Sequence, residues 1–336
     1  MTAASWILRR FQALAAPGWR ARATAAFFSA ALDVIAPRKG RIDSNLSLVY
    51  PDKDRAWRAR IRRQLYGHLA WTVTELMVLQ RDPRQALHWV EEVEGFHWVE
   101  ECWIQGRGTL FLSAHFGNWE LLAAWYAQVC RRDGGPGFHI ISQEIRDRGI
   151  SDLLREYRER CGIGLLPKDT STLEFVRLLR EGAHIALLAD ISWLGGVRLP
   201  FMGHECTNTT GPAVLSILAS VPIVPVGIYR LAPFKHRVRF FPPLPLPEER
   251  NRLRRAELLT TPWRRSSPRG RICGSGCTIA GKTEGLSHAL ALPFGRIMYN
   301  LRRERLWERG ELSSCRLFFG NALFRARALN GSGFAL

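Results

Sequence analysis

Apolar positions along the chain fall into two regimes. Up to about Gly95 they recur at helical spacing; beyond it, short apolar runs alternate with amphipathic segments. Residues 1–40 read as amphipathic helix. Trp6, Ile7, Leu8, Phe11, Leu14, Trp19, Phe27, Phe28, Leu32 and Ile35 are set among Arg9, Arg10, Arg20, Arg22, Arg38 and Lys39. Residues 54–80 form a second helical segment, and a shorter helix after Pro83 runs into the stretch His88 to Gly95. Apolar runs at 108–113, 139–142, 163–166, 184–189, 223–229 and 237–241 read as strands. Helical segments at 119–130, 150–161, 170–181 and 211–219 lie between them. Strands alternating with helices predict an α/β fold, a mostly parallel sheet flanked by helices, with an N-terminal amphipathic helical region. No repeat is visible, and no linker before about residue 245.

The apolar stretch 23–37 is broken by Asp33 and falls short of the roughly 18 residues a spanning helix needs. Arg9 and Arg10 precede no long apolar region, so no signal peptide is expected. A basic amphipathic segment fits the surface of an anionic membrane; the alternative is a helix docked on the core with its arginines in water. The net charge of +18 suits nucleic acid, anionic lipid or an acidic protein, and composition does not choose among them. With 46% apolar and 23% charged residues, the chain is neither disordered nor fibrous. Its seven scattered cysteines do not form a disulfide framework and fit a reducing compartment. Most of the twelve tryptophans are expected in the core, some as interfacial anchors.

The string Ser113-Ala114-His115-Phe116-Gly117-Asn118-Trp119-Glu120 sits where a strand turns into a helix. Open α/β sheets place their sites at that end of the strands. His115 is the candidate general base. Asn118 is a helix N-cap, and Gly117 permits the tight turn. Glu120, in the first helical turn, is expected to face the imidazole and fix its tautomer. A histidine followed five residues later by a glutamate is a weak signal, and a structural histidine with a capping glutamate is the bland alternative. The whole string in this context carries the argument.

Several motifs in order resemble the bacterial lipid A biosynthesis acyltransferases, a branch of the lysophospholipid acyltransferase superfamily. They are Arg41 to Leu46 with Tyr50-Pro51, Glu75, the His115 to Glu120 box, Leu188-Ala189-Asp190, Val197 to Gly203, Thr209 to Ala213, and Pro222 to Arg230. The resemblance covers about residues 37–257. It implies a glycerol-3-phosphate acyltransferase-like fold and a His115/Glu120 dyad. It also implies transfer of a fatty acyl chain from acyl carrier protein, or acyl-CoA, to a hydroxyl of a lipid A precursor. Lysophospholipids or other amphiphiles are the alternative acceptors, and a membrane-binding protein without catalysis is the rival from another class. By the same resemblance Arg146, or its rival Arg148, holds an anionic group, and Asp190 and Arg198 line the cleft. The helix N-terminus near Asn118 offers backbone N–H groups to the oxyanion. Thr210 and Gly211 bind phosphate or merely cap a helix in which Pro212 occupies the first position. Ile191 stands where the family has Gln. No cofactor, metal or nucleic acid is implied. The expected place is the cytoplasmic face of a bacterial inner membrane, peripheral or monotopic, and the expected segments are 1–40, 41–257 and a tail, 258–336.

The tail holds a decoy. Gly276 to Thr283 fits the spacing of a nucleotide-binding P-loop. The Arg/Ser/Gly-rich stretch before it is no buried strand, and too few residues follow to complete such a sheet. Read one nucleotide earlier, the codons of Gly276 to Lys282 permit Trp-Leu-His-Asn-Arg-Trp-Lys, similar to the motif with which the family ends. We hypothesise a frameshift near residues 257–261. Half of the net charge, thirteen basic against four acidic residues, lies from Thr260 onward and is then incidental. The nucleotide sequence of the gene tests the hypothesis. Restoring the frame is expected to yield that motif, and a restored reading without it ends the idea.

Overall fold

Proline and glycine set the first break in the chain. Pro17-Gly18, with Gly18 at φ +93°, separates helix α1 (Ala3–Leu14) from α2 (Trp19–Ile35). The computed structural model describes residues 3–14, 16–145, 147–190, 197–201 and 204–244. The tail 258–336, with its P-loop-like string and Cys273 and Cys277, lies outside them.

Small residues let α2 approach the body of the protein. Ala21, Thr24 and Ala25 are its buried positions, and it packs on α4 (Arg55–Leu79). Phe11 stacks on Phe27 at 4.8 Å and tilts against Phe28 at 5.1 Å, holding α1 to α2. Asp54 caps α4 by accepting from the Trp57 amide. Before it lies α3 (Lys39–Val49), which the pattern did not signal, and Ile42 and Leu46 seat it on Ile61, Leu65 and Tyr66.

After α5 (Gln85–Trp89) the chain departs from expectation. The acidic stretch read as helix is strand β1 (Val90–Glu94), followed by α6 (His97–Ile104). Pairing with a basic partner strand decides it. β1 runs parallel to β9 (Lys235–Phe240), and four ion pairs cross the seam: Lys235–Glu91 at 2.6 Å, Arg237–Glu92 at 2.5 Å, Arg237–Glu94 at 3.6 Å and Arg239–Glu94 at 3.2 Å. Strand β2 (Thr109–Ser113) is buried throughout and leads into α7 (Trp119–Asp133). Then follow β3 (Phe138–Ser142), α8 (Arg148–Arg160), β4 (Gly164–Pro167), α9 (Thr172–Arg180) and β5 (His184–Leu188). Strands β6 (Val197–Phe201) and β7 (His204–Asn208) pair as an antiparallel hairpin where the sequence suggested a turn. Helix α10 (Gly211–Ala219) and β8 (Ile223–Ala232) precede β9.

The strands form a seven-stranded sheet in the order β1-β9-β8-β2-β5-β3-β4. Every neighbouring pair is parallel except β8 with β9, so the sheet is mostly parallel with helices against it, as the alternation predicts. One core, with Phe111, Trp125, Tyr126 and Phe240, lies beneath α7. A second, with Leu110, Phe175, Leu179 and Leu215, lies beneath α9 and α10.

His184 heads β5 and is fully buried. Its Nε2 lies 3.3 Å from the Arg107 carbonyl, and its Nδ1 2.6 Å from the Tyr126 hydroxyl. A neutral ring satisfies both, donating to the carbonyl and accepting from the phenol. Burial pushes this imidazole down to about 4. In the unfolded chain it titrates near 6.5, so below that pH the unfolded state binds more protons. The stability it contributes is therefore present above about 6.5 and is lost as pH falls toward 4, by about 2 kcal/mol at pH 5. Urea melts of wild type and His184→Gln at pH 7.5 and 5.0 are expected to show it. The variant is weaker at pH 7.5, but its loss on acidification is smaller than that of wild type by about that amount. Equal losses in the two proteins would refute this.

Candidate functional site

The register of two strands brings the first site residues together. β2 and β5 pair in parallel with Ser113 opposite Leu188, and the Ala189 amide extends the ladder to the Ser113 carbonyl. Two residues beyond that last pair stand His115 on one chain segment and Asp190 on the other. The Asp190 Oδ2 accepts from the His115 backbone amide at 3.1 Å, and Oδ1 lies 2.9 Å from His115 Nδ1. A carboxylate there favours the tautomer with the proton on Nδ1 and the lone pair on Nε2. Both side chains are mostly covered, 13% and 12% exposed, with the Trp119 ring edge-on to the imidazole at 5.1 Å.

The turn that follows is tightly constrained. Gly117 has φ +58°, and a Cβ there would overlap the carbonyl oxygen of Ile228 on β8. Only glycine meets both conditions. Asn118 is fully buried: its Oδ1 accepts from the Leu121 amide at 3.0 Å, capping α7, and its Nδ2 donates to Glu75 Oε2 at 2.8 Å.

Glu120 takes a different partner from the one expected. Its two carboxylate oxygens bind Arg158 of α8, Oε2 with Nε at 3.1 Å and Oε1 with Nη2 at 2.5 Å. Side chains one residue apart on a helix point about 100° apart. With Trp119 turned to the imidazole, Glu120 is turned to α8, and Tyr157 reinforces this by donating to the Glu120 carbonyl at 3.0 Å. The carboxylate on the His115 ring is Asp190.

Glu120 and Arg158 also line a cavity of about 70 Å³. Its other walls are largely apolar, among them Phe111, Trp119, Leu122, Ile140 and Val226, with Ser113 at the strand end. Cys130 and Cys161, nearby on α7 and after α8, are pushed up to about 12 by burial, which leaves them protonated and poor nucleophiles. Among the described residues no group of three His, Cys, Asp or Glu is set to hold a metal ion.

The remaining expected residues that are described sit on or next to α8, β6 and α10. Arg148 is exposed at the first position of α8, next to the capping Asp147. Arg146 lies outside the described residues. Arg198 sits on β6 opposite Thr207, and its side chain is outside the description. Thr210 precedes α10, but Thr209 is the hydroxyl that receives the Gly211 amide, at 3.1 Å, and Pro212 is the second helical residue.

A cluster behind the turn carried little signal in the sequence. Glu75 on α4, matched to the family without a role, is fully buried and pairs with Arg230 of β8 at 2.7 Å and with His236 of β9 at 3.2 Å. His68 and Thr72 on α4 complete the ring around Arg230, the His68 ring at 2.8 Å and the Thr72 hydroxyl at 3.1 Å. The spacing of His68, Thr72 and Glu75, four residues and then three, was the readable sign of one polar stripe on α4. Nothing local pointed to Arg158.

A curated relative is the phosphatidylinositol mannoside acyltransferase of Mycolicibacterium smegmatis (strain ATCC 700084 / mc(2)155), 28% identical over 126 residues. That alignment covers 36% of this chain and 40% of the relative, so the chain spans under half the length of the protein it matches. The family described as bacterial lipid A biosynthesis acyltransferase matches over residues 6–258. With well over half of its 336 residues so matched, the chain belongs to the bacterial lipid A biosynthesis acyltransferase family.

Proposed function

We propose that this chain transfers a fatty acyl group from an acyl thioester to a hydroxyl of a lipid acceptor, with His115 as general base. The observation that carries this is the Asp190 carboxylate on both the amide and the Nδ1 of His115, which leaves Nε2 as the basic nitrogen. His115 Nε2 takes the proton of the acceptor hydroxyl, and the oxygen attacks the thioester carbonyl carbon. The C–S bond then breaks, and the leaving thiolate takes the proton back from the imidazolium. The first turn of α7 presents backbone N–H groups toward the oxyanion. The cavity beneath α7 receives the first few methylene groups of the acyl chain, and the Glu120–Arg158 pair bounds it.

The donor in this reading is acyl carrier protein, or less favourably acyl-CoA, because a basic surface suits an acidic carrier. The family supports a lipid A precursor as acceptor. The mycobacterial relative acts, by its name, on a phosphatidylinositol mannoside, which supports a sugar-bearing lipid more broadly. Arg146, Arg148 and Arg198 are proposed contacts for anionic groups of either substrate, as are the Thr210 and Gly211 region at the head of α10. The chain would act peripherally at the cytoplasmic face of the bacterial inner membrane. No helix among the described residues is long and apolar enough to cross a membrane. Trp19, Phe27, Val34 and Ile35 of α2 are exposed on a segment rich in arginine, which fits an interfacial position.

Transfer is measured from labelled acyl carrier protein to a lipid A precursor. His115→Ala is expected to lower kcat by about 10²–10⁴. Asp190→Asn is expected to lower it at least about tenfold through loss of the oriented tautomer. Undiminished turnover in His115→Ala would overturn the reading. No turnover in wild type with this or a lysophospholipid acceptor, alongside intact vesicle binding, would favour the non-catalytic alternative.

Flotation with vesicles containing anionic lipid tests the membrane part. Trp19→Ala with Ile35→Ala is expected to weaken partitioning about tenfold, and raised salt to weaken wild-type binding. Unchanged partitioning in both cases would remove α2 from the contact.

A further inference from the structure

The turn between His115 and α7 is fastened to a buried polar cluster. The Glu75 carboxylate at its centre is fully buried, 43 residues from Asn118 in sequence, and receives donors from three directions. Arg230 reaches it from β8 through Nε at 3.3 Å and Nη2 at 2.7 Å. From the β9 side come His236 Nε2 at 3.2 Å and the Phe234 amide at 3.1 Å. The third direction is the site itself, where Asn118 Nδ2 donates at 2.8 Å. An Arg230 partner alone would neutralise Glu75; the Asn118 bond adds nothing to charge balance and instead fixes the side chain that caps α7. His68, on the same face of α4, bonds Arg230 through its ring at 2.8 Å. The turn is therefore tied to α4 through Asn118.

We propose that Glu75 is a positioning residue for the reaction, acting through Asn118 to hold the His115 imidazole at its working place. Only Phe116 and Gly117 separate His115 from Asn118, and Gly117 lies against the Ile228 carbonyl, so a shift of Asn118 passes to His115. A displacement of about 1 Å at a reacting group costs on the order of 10²-fold in rate. The buried groups also keep fixed charge. Burial works against the Glu75 carboxylate, but Arg230 and His236 outweigh it and hold its pKa below the usual carboxylate range. Burial first, and Arg230 second, push the His68 imidazole down to about 3. The cluster thus stays an ionised Glu75–Arg230 pair with a neutral His68 across the working pH range.

This inference rests on the acyl-transfer reading, and its test separates the two. The set is wild type, Asn118→Asp, Glu75→Gln and the double variant carrying both. Asn118→Asp keeps the helix cap but has no donor for Glu75. Glu75→Gln sets amide donors against each other. In the double variant the amide introduced at position 75 donates to the carboxylate introduced at position 118. That carboxylate still caps Leu121, and the net charge equals that of wild type. Each single variant is expected to lose kcat about 30-fold with KM within about twofold, and the double to recover to within about threefold of wild type. Hydrogen exchange supplies a readout free of activity. The His115 amide, which donates to Asp190, is expected to lose protection in the single variants and regain it in the double, while Phe111 in β2 stays protected. If a single variant fails to fold, Asn118→Ser, which keeps a capping oxygen and adds no charge, carries the same expectation. Single variants with wild-type kcat and protection, or losses that multiply in the double, would overturn the proposal. A wild type without transfer activity would instead refute the acyl-transfer reading, and the exchange pattern would still decide whether Glu75 positions the turn.

Discussion

The in-register parallel pairing of β2 with β5 is the constraint on which the candidate site depends. Side chains alternate across a sheet with a period of two, so a slip of one residue would carry Asp190 away from His115 and leave the imidazole without its carboxylate. The register is guarded from both sides. All five β2 residues are buried, so a slip moves a fully packed strand, and Leu110 and Phe111 also pair with Ile223 and Val224 of β8. β8 in turn closes on the turn through the Ile228 carbonyl at Gly117. The geometry of the candidate site is thus a property of three adjacent strands rather than of the loop that carries His115.

The ion pairs of this protein fall into two physical classes. Those between β1 and β9 are exposed; pairs of that kind are worth about 0–1 kcal/mol each, and salt screens them. Their use is to select register and strand identity in a segment with little apolar content. The Glu75–Arg230 pair is of the other class. Removing one partner strands a buried charge at a cost of about 3–5 kcal/mol, whereas replacing both with apolar groups is often neutral. A buried pair of this kind is therefore poor evidence for stability and better evidence for a requirement of position. The Asn118 contact gives that requirement a place.

Much of the fold was legible because most strands are short apolar runs between amphipathic helices, and burial on both faces demands such runs in a parallel sheet. β1 was not legible, since Val90 to Glu94 carries three glutamates and draws its strand character from basic residues about 145 positions later. His115 could be read from its turn. Its carboxylate could not: Glu120 is near in sequence but turned away by helical periodicity, while Asp190 is distant in sequence and near through the sheet. Both residues were named from the sequence, yet the distances reassign the orienting bond. Arg158 had no local signal because its partner is set by how α8 packs on α7.

Helix α8 joins the N-terminal helices to the candidate site through contacts on two of its faces. On one side Arg9 of α1 bonds Glu156 at 2.7 Å, with both side chains nearly half exposed; on the other Arg158 bonds the buried Glu120. Two residues along a helix is a rotation of about 200°, so these contacts lie on opposite faces. The outer one is weak and salt-sensitive, the inner one is bidentate and desolvated. Phe11, stacked on Phe27 and Phe28, ties α1 to α2 more firmly than Arg9 ties it to α8. Movement of α1 against a lipid surface would therefore break the Arg9–Glu156 contact first. It would leave Arg158 on Glu120 and the start of α7 where the chemistry needs it.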